Sequence, residues 1–108
     1  MTKFLLNGWS FSMPRMNSGI ISWHTLSIEE AKLQAYDAIS VIGNKDIANV
    51  LTSLFGFEVE FNRENIKLNK GDVAIICSLK GAKLPAGATT LPDDVEVEIK
   101  CVKILEEI

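Results

Sequence analysis

The spacing of apolar and polar positions changes several times along the chain, and each change indicates a new element. Strand-like runs occur early, at Lys3–Leu6 and Ile20–Leu26, with a loop between them. Val73–Leu79 is almost entirely apolar, which is typical of a central strand covered on both faces. Val95–Ile108 alternates apolar and polar residues, which predicts a half-buried final strand.

Two segments between these strands have helical spacing. The first helix is predicted over Ile28–Asp37, because Ser27 and Glu30 fit a capping box at its start. The second is predicted over Lys45–Phe55, where apolar residues recur every three or four positions. Gly56 stands where a glycine commonly ends a helix.

The remaining segments complete the predicted fold. Ala38–Gly43 is an extended link between the helices, Asn65–Leu68 is a further short strand, and Lys80–Asp94 is a long loop of the kind that is often functional. The sequence therefore predicts an α+β fold in a single small domain, residues 1–108. It consists of a mixed sheet of about five strands, with two helices between strands two and three.

Composition narrows the possible functions. The chain has 108 residues and a net charge of -3, so it lacks the surplus of Lys and Arg that extended DNA or RNA binding requires. A single small phosphorylated ligand remains possible. The two cysteines are expected to be reduced and buried. Together with a single histidine they are too few to form a zinc site, and no cofactor is expected. No signal peptide or membrane-spanning run is visible, so a cytoplasmic protein without membrane contact is expected.

The stretch before the second helix is the first candidate site. Gly43 precedes a helix N-terminus, an arrangement that commonly binds anions. Asn44 is a favoured N-cap residue, so a pure cap and a ligand contact are both open. Arg63 either contacts a ligand or pairs with a neighbouring glutamate, Glu58, Glu60 or Glu64.

Other candidates also carry an ordinary structural alternative. Lys80 and Lys83 can be ligand contacts or solvated loop charges. An adenine could stack near Trp9 and Phe11, although core packing of at least one of them is favoured. His24, the only histidine, is expected to be a surface or structural residue.

Three segments, "FLLNGWSFSM", "SVIGNKDIANVLTSLFGFEVEFNR" and "LKGAKLPAGATTL", resemble one family in the right order and spacing. It is the viral and phage ring nucleases, also called type III anti-CRISPR proteins and formerly a domain of unknown function. The resemblance implies a dimeric α+β protein that binds cyclic tetra-adenylate across the dimer and cleaves it without metal. In the chemistry that the resemblance implies, a ribose 2′-hydroxyl attacks the neighbouring phosphate, and a histidine protonates the leaving 5′-oxygen.

The resemblance also assigns the expected site residues. Asn44 occupies the position of the family's general-acid histidine, Lys83 that of an arginine and Ala86 that of a glutamate. An asparagine has no proton to donate near neutral pH. The expected ligand-binding residues are Asn7, Gly8, Trp9, Ser10, Gly43, Asn44, Arg63 and Lys83.

The function expected from this pattern is binding without efficient cleavage. A homodimer, in the host cytoplasm if the protein is viral, would bind a cyclic oligonucleotide or another adenine-nucleotide messenger and block host antiviral signalling by sequestration. One alternative is an active ring nuclease that cleaves cyclic tetra-adenylate slowly. Another is a protein-interaction module on the same fold.

Overall fold

Five strands form one mixed sheet in the spatial order β2-β5-β4-β1-β3. The computed structural model describes residues 1–108. Its elements in chain order are β1 (Lys3–Leu6), β2 (Gly19–Leu26), α1 (Ile28–Ala35), β3 (Ile39–Val41), α2 (Lys45–Phe55), β4 (Val73–Gly81) and β5 (Val95–Glu107). Strand β1 lies between β3 and β4 and is parallel to both, whereas β5 is antiparallel to β4 and β2.

The predicted fold class, a small α+β domain with a five-stranded mixed sheet and two helices, is confirmed. Two local assignments differ. Ile39–Val41, within the predicted link, forms β3 by pairing with β1, so α1 precedes this strand and α2 follows it. The predicted strand Asn65–Leu68 makes a single bridge, from Leu68 to Pro14, because the residues around it belong to a loop that covers the sheet.

Both helices begin at the predicted caps. The Glu30 amide donates to the Ser27 hydroxyl at 3.1 Å, and the Glu30 carboxylate accepts from the Ser27 amide at 3.0 Å. These hydrogen bonds from Ser27 hold the pKa of Glu30 below its usual value. Helix α1 ends at Ala35, two residues before the predicted end. Helix α2 ends at Phe55 and is capped by Gly56, whose φ of 76° is a left-handed conformation that glycine adopts without strain.

The sheet has different covers on its two faces. One face packs against the helices, where Leu5, Ile75 and Ile99 meet Leu51 and Phe55 of α2. Cys77 belongs to this core, and burial raises the pKa of its thiol to about 12, so it is inert. The predicted reduced state of both cysteines agrees with their free thiols, although Cys101 is only half-buried.

The opposite face has no helix. Loop residues, including Trp9, Met13, Ile66 and Leu68, pack over Leu6, Val41, Ala74 and Ile76. These loops connect β1 to β2 and α2 to β4, so they carry most of the residues predicted to bind a ligand.

Asp72 anchors one end of β1. Its buried carboxylate accepts hydrogen bonds from the Thr2 amide at 3.0 Å and from the Asn69 amide at 2.8 Å. Because buried donors require acceptors, this residue fixes the start of β1 against the turn before β4. The opposite end of β1 leads into the candidate site.

Candidate ligand-binding cleft

A cleft of about 250 Å³ lies at the carboxyl ends of β1 and β3. Asn7 and Gly8 follow β1 directly, Gly43 follows β3 at a distance of two residues, and Arg63 and Glu64 approach from the loop after α2. The carboxyl ends of parallel strands are the usual place for ligands in open α/β sheets, because loops diverge there and leave a crevice.

The structure brings six of the eight predicted ligand-binding residues together in this cleft. They are Asn7, Gly8, Trp9, Ser10, Gly43 and Arg63. Asn44 and Lys83 do not line it. The cleft is also lined by Leu6, Met13, Val41, Glu64 and Ile66, which the sequence did not single out.

One hydrogen bond joins the two strand ends. The Gly43 amide donates to the Asn7 side-chain oxygen at 3.0 Å, which leaves the Asn7 NH₂ group as a donor for a ligand. A Cβ atom on Gly43 would lie 3.6 Å from Arg63 Cγ and 3.9 Å from Asn7 Oδ1. These are ordinary contact distances, so the close approach of the three residues does not strictly require glycine.

Arg63 supplies the positive charge of the cleft. None of the three ion pairs in the structure includes it, so the expected alternative of pairing with a neighbouring glutamate is not observed. Its guanidinium group is exposed and has donors in a planar fork that fits a phosphate. An unpaired arginine at the edge of a cleft favours an anionic ligand.

Glu64 places a carboxylate in the same cleft. It accepts a hydrogen bond from the Asn62 side-chain amide at 3.1 Å, and Asn62 also donates to the Ser40 carbonyl at 3.3 Å. The cleft therefore combines a cation, amide and hydroxyl donors, and one acceptor. The sequence offered one clue to the role of Glu64, namely its position next to Arg63. It offered none for Met13 and Ile66, because only the packing of the loops places these two residues in the cleft.

Asn44 is the N-cap of α2. Its side-chain oxygen accepts from the Ile47 amide at 3.0 Å, with an extended backbone at Asn44 itself. The structure thus shows the cap, which was one of the two roles open for this residue. The side chain is exposed beside Gly43, next to the cleft but outside its lining.

Lys83 lies exposed in the loop that joins β4 to β5. This loop rests on α2 through two hydrogen bonds: the Gly87 amide donates to the Asp46 carboxylate at 3.2 Å, and the Ser53 hydroxyl donates to the Thr89 carbonyl at 2.5 Å. Lys80 is an ion-pair partner of Glu98 at 2.6 Å.

Aromatic residues border the cleft on one side. Trp9 lines it and meets Phe11 edge to face, with ring centroids 5.7 Å apart. His24 is exposed on β2 and does not line the cleft, as expected for a surface residue. The titratable side chains of the lining are Arg63 and Glu64, so the cleft contains no histidine that could act as a general acid.

These features define a class of protein: a small α+β domain with one helix-covered sheet face and a cleft, lined by one arginine and one glutamate among other residues, at the ends of its parallel strands. Residues 3–103 match the STIV B116-like family. The chain therefore belongs to the STIV B116-like family of viral proteins.

Two viral proteins are similar to this chain, one in sequence and one in fold. The chain is 32% identical over 107 residues to "Uncharacterized protein 26" of Sulfolobus islandicus filamentous virus (isolate Iceland/Hveragerdi), a match that covers 97% of this chain and 82% of the relative. The solved structure of B116 of Sulfolobus turreted icosahedral virus has the same fold, with a TM-score of 0.83 at 24% identity. That match covers 95% of this chain and 99% of B116. None of the helices has the length and apolarity needed to cross a membrane.

Proposed function

We propose that this protein binds a cyclic oligonucleotide, or another adenine-nucleotide second messenger, and blocks host antiviral signalling by holding it. The observation that carries the proposal is the cleft itself. It joins an unpaired Arg63 to the free amide donor of Asn7, and no histidine lines it. The likeness of the site segments to ring nucleases supplies the ligand class.

Phosphate recognition follows from the donors at the cleft. Arg63 offers a charged planar fork, and hydrogen bonds that involve a charged group are about twice as strong as neutral ones. The first turn of α2 begins next to Gly43, and the unpaired amides and dipole of a helix N-terminus favour an anion. Glu64 opposes this charge, so only a ligand that also brings hydrogen-bond donors uses the whole lining.

Cleavage requires more than the cleft provides. In the mechanism implied by the ring-nuclease likeness, the leaving 5′-oxygen must be protonated, and loss of a general acid costs about 10²–10⁴-fold in rate. Asn44 caps α2 and carries no transferable proton near neutral pH. Sequestration therefore fits the residues better than turnover does.

The size of the cleft bears on the assembly. At about 250 Å³ it is slightly below the roughly 300–1,000 Å³ of typical small-molecule sites, and a ring of several nucleotides extends beyond it. We propose that a homodimer shares the ring between two clefts, since a two-fold ligand suits a two-fold interface. Within this proposal the dimer acts in the cytoplasm of the host cell.

The test is a nucleotide panel. Cyclic tetra-adenylate, other cyclic oligoadenylates and linear adenine nucleotides are titrated by calorimetry, and each mixture is followed by mass spectrometry over hours. We expect tight binding of at least one member, with no product when the protein and the nucleotide are present in equal amounts. Product formation would instead support the slow ring nuclease, and failure of every member to bind would favour the protein-interaction module.

A matched pair of arginine variants locates the site. Arg63→Ala is expected to weaken binding by about 1.5–3 kcal/mol, because a charged hydrogen bond to phosphate is lost. Arg15→Ala removes the same charge from an exposed residue outside the cleft lining and should leave affinity unchanged. Equal effects of both variants would show that only net charge matters and that the cleft is not the site.

Lys83 belongs to the proposal with a smaller expected effect. Because it lies outside the cleft lining, it reaches only a ligand that extends towards the loop between β4 and β5. Lys83→Ala should therefore weaken binding of a cyclic oligonucleotide more than binding of a mononucleotide. The same loss for both ligands would contradict this placement.

A further inference from the structure

Glu64 introduces a negative charge into a cleft that is proposed to hold phosphate. Arg63 and Glu64 are the charged side chains of the lining, so the formal charge of the lining is zero. A site that only attracts phosphate would have a neutral or basic side chain at this position. The opposing charge therefore bears on which kind of phosphate the cleft accepts.

The carboxylate of Glu64 is held in place from the sheet. Asn62 Nδ2 donates to Glu64 Oε2 at 3.1 Å and to the Ser40 carbonyl of β3 at 3.3 Å. The Asn62 backbone amide also donates to the Ile42 carbonyl at 2.9 Å. These hydrogen bonds fasten the loop to the end of β3 directly before Arg63 and Glu64, so the negative charge has a defined position beside the positive one.

No side chain of the protein compensates the charge of Glu64. None of the three ion pairs in the structure includes it, although Arg63 is its neighbour in the chain. Lys67 and Glu64 both line a polar cavity of about 340 Å³ next to the cleft, but the Lys67 ammonium group donates to the Ser12 carbonyl at 2.7 Å. A ligand in the cleft therefore meets the carboxylate without a cation of the protein bound to it.

The cleft is small enough for the charge of Glu64 to act on any phosphate inside it. A sphere of about 250 Å³ is roughly 8 Å across, which is also about the Debye length at physiological ionic strength. A phosphate that contacts Arg63 is therefore within electrostatic range of Glu64. In water, two unit charges that are about 4–8 Å apart change a binding constant by about 2- to 6-fold.

The size of this effect depends on the class of phosphate. A phosphodiester carries one negative charge, whereas a terminal phosphomonoester carries nearly two at neutral pH, because its second pKa is about 6. At Arg63 alone, the second charge would strengthen binding. With Glu64 in the same lining, the second charge is repelled about as strongly as it is attracted, so a terminal phosphate has no advantage.

We propose that Glu64 makes the cleft selective for phosphodiesters, by cancelling the advantage that a terminal phosphate would have at Arg63. The inference rests on the proposed function for its ligand class and adds the competitor that the site excludes. AMP and other mononucleotides carry a terminal phosphate, whereas a cyclic oligonucleotide carries phosphodiesters only. Specificity between such ligands commonly needs an element that repels the wrong one, and Glu64 supplies it.

The test compares AMP with 3′,5′-cyclic AMP, which share one adenine, one ribose and one phosphate but differ in phosphate charge. Both are titrated at pH 7.5 by nuclear magnetic resonance, which measures millimolar affinities. Glu64→Gln removes the charge and keeps an oxygen that can accept from Asn62. This variant should raise the affinity for AMP, relative to that for 3′,5′-cyclic AMP, by about 2- to 6-fold over the same ratio in wild type.

Glu58→Gln is the matched control. Glu58 is exposed and lies outside the cleft lining, so this variant changes the net charge of the protein by the same amount. It should leave the ratio of the two affinities unchanged. The inference is overturned by a ratio that is the same in wild type and Glu64→Gln, by an equal shift in Glu58→Gln, or by a Glu64→Gln variant that binds neither nucleotide at millimolar concentration.

Calorimetry with cyclic tetra-adenylate separates the two proposals. If wild type binds the ring and the ratio does not respond to Glu64→Gln, the proposed function stands and the selectivity does not come from Glu64. If the ratio shifts as expected but wild type does not bind the ring, the selectivity of the cleft is correct and the proposed messenger is wrong. If wild type binds neither the ring nor any other member of the panel, both proposals fail.

Discussion

Asn44 offers the sharpest test of how structural and functional roles combine at one position. Asn44→Ala removes the acceptor of the Ile47 amide, which lies 3.0 Å from the Asn44 side-chain oxygen. The side chain is exposed, so little packing is lost with it. The expected cost is the loss of an N-cap, about 1 kcal/mol of unfolding free energy with a range of about 0.5–2.

Asn44→Ser is the control, because serine accepts the same hydrogen bond and should change the unfolding free energy by only a few tenths of a kcal/mol. Urea unfolding followed by circular dichroism measures both. For a domain of this size, 1 kcal/mol corresponds to a shift of about 4 °C in melting temperature. If Asn44→Ala and Asn44→Ser were equally stable, the cap would contribute nothing and α2 would be held by its buried face alone.

Asn44→His addresses catalysis at the same position. The imidazole can donate a proton, but the helix dipole disfavours its charged form and a bound phosphate favours it, so the gain should stay below the full factor of about 10²–10⁴. Adding Lys83→Arg and Ala86→Glu should raise it further, since these changes restore the residue types of the ring nucleases. Product formation is followed by chromatography at equal ligand occupancy.

The outcome separates the proposed functions. A wild type as fast as the triple variant would refute sequestration and support a nuclease. A triple variant that binds cyclic tetra-adenylate tightly but never cleaves it would show that the cleft has been rebuilt for a different ligand.

Two further predictions concern titratable groups. Burial raises the pKa of Cys77 to about 12 and also raises that of Cys101, so at pH 8 a thiol reagent should modify the native protein far more slowly than the urea-unfolded protein, with Cys101 reacting first. Equal rates in the two states would contradict the buried thiols. The pKa values of Glu30, Asp37 and Glu98 are lowered, by hydrogen bonds from Ser27, Lys3 and Lys80 respectively. Their contribution to stability is therefore complete above their unfolded-state pKa values, near 4, and is lost as the pH falls through the lower native values. Because all three carboxylates are accessible to solvent, the contribution should be small. Urea midpoints measured from pH 7 to 2 should decrease only in the acid range, and a flat profile would show that these contacts do not stabilise the fold.

Elements with a clear period were predictable from the sequence. The apolar run of β4, the alternation of β5 and the caps of both helices report local chemistry, and the structure confirms them. Strand β3 was not predictable as a strand, because three residues cannot show a period and its pairing with β1 is a tertiary contact.

The candidate site, too, was only partly predictable from local sequence, because tertiary contacts decide the rest. Asn7 follows a strand that the pattern marks, whereas Gly43 follows β3, which the sequence predicts only as an extended link. The meeting of the two residues therefore depends on the parallel pairing of β1 with β3, which is a tertiary contact.

Glu64, Met13 and Ile66 line the cleft because two loops pack over the helix-free face of the sheet. The sequences of these loops have no periodic pattern from which that packing could be predicted. Lys83 was assigned to the site because its order in the chain corresponds to that of an arginine in the ring nucleases. Its position in the structure depends instead on how its loop docks on α2.

The hydrogen bond between Asn7 and Gly43 has a consequence for mutational tolerance. The oxygen of the Asn7 amide holds two strand ends together, while its nitrogen remains available to a ligand. Asp at this position would keep the oxygen, lose the donor and add a negative charge to the cleft, whereas Leu would keep the approximate volume and lose both polar groups. One side chain thus meets an architectural demand and a recognition demand through different atoms, which leaves this position very few acceptable replacements.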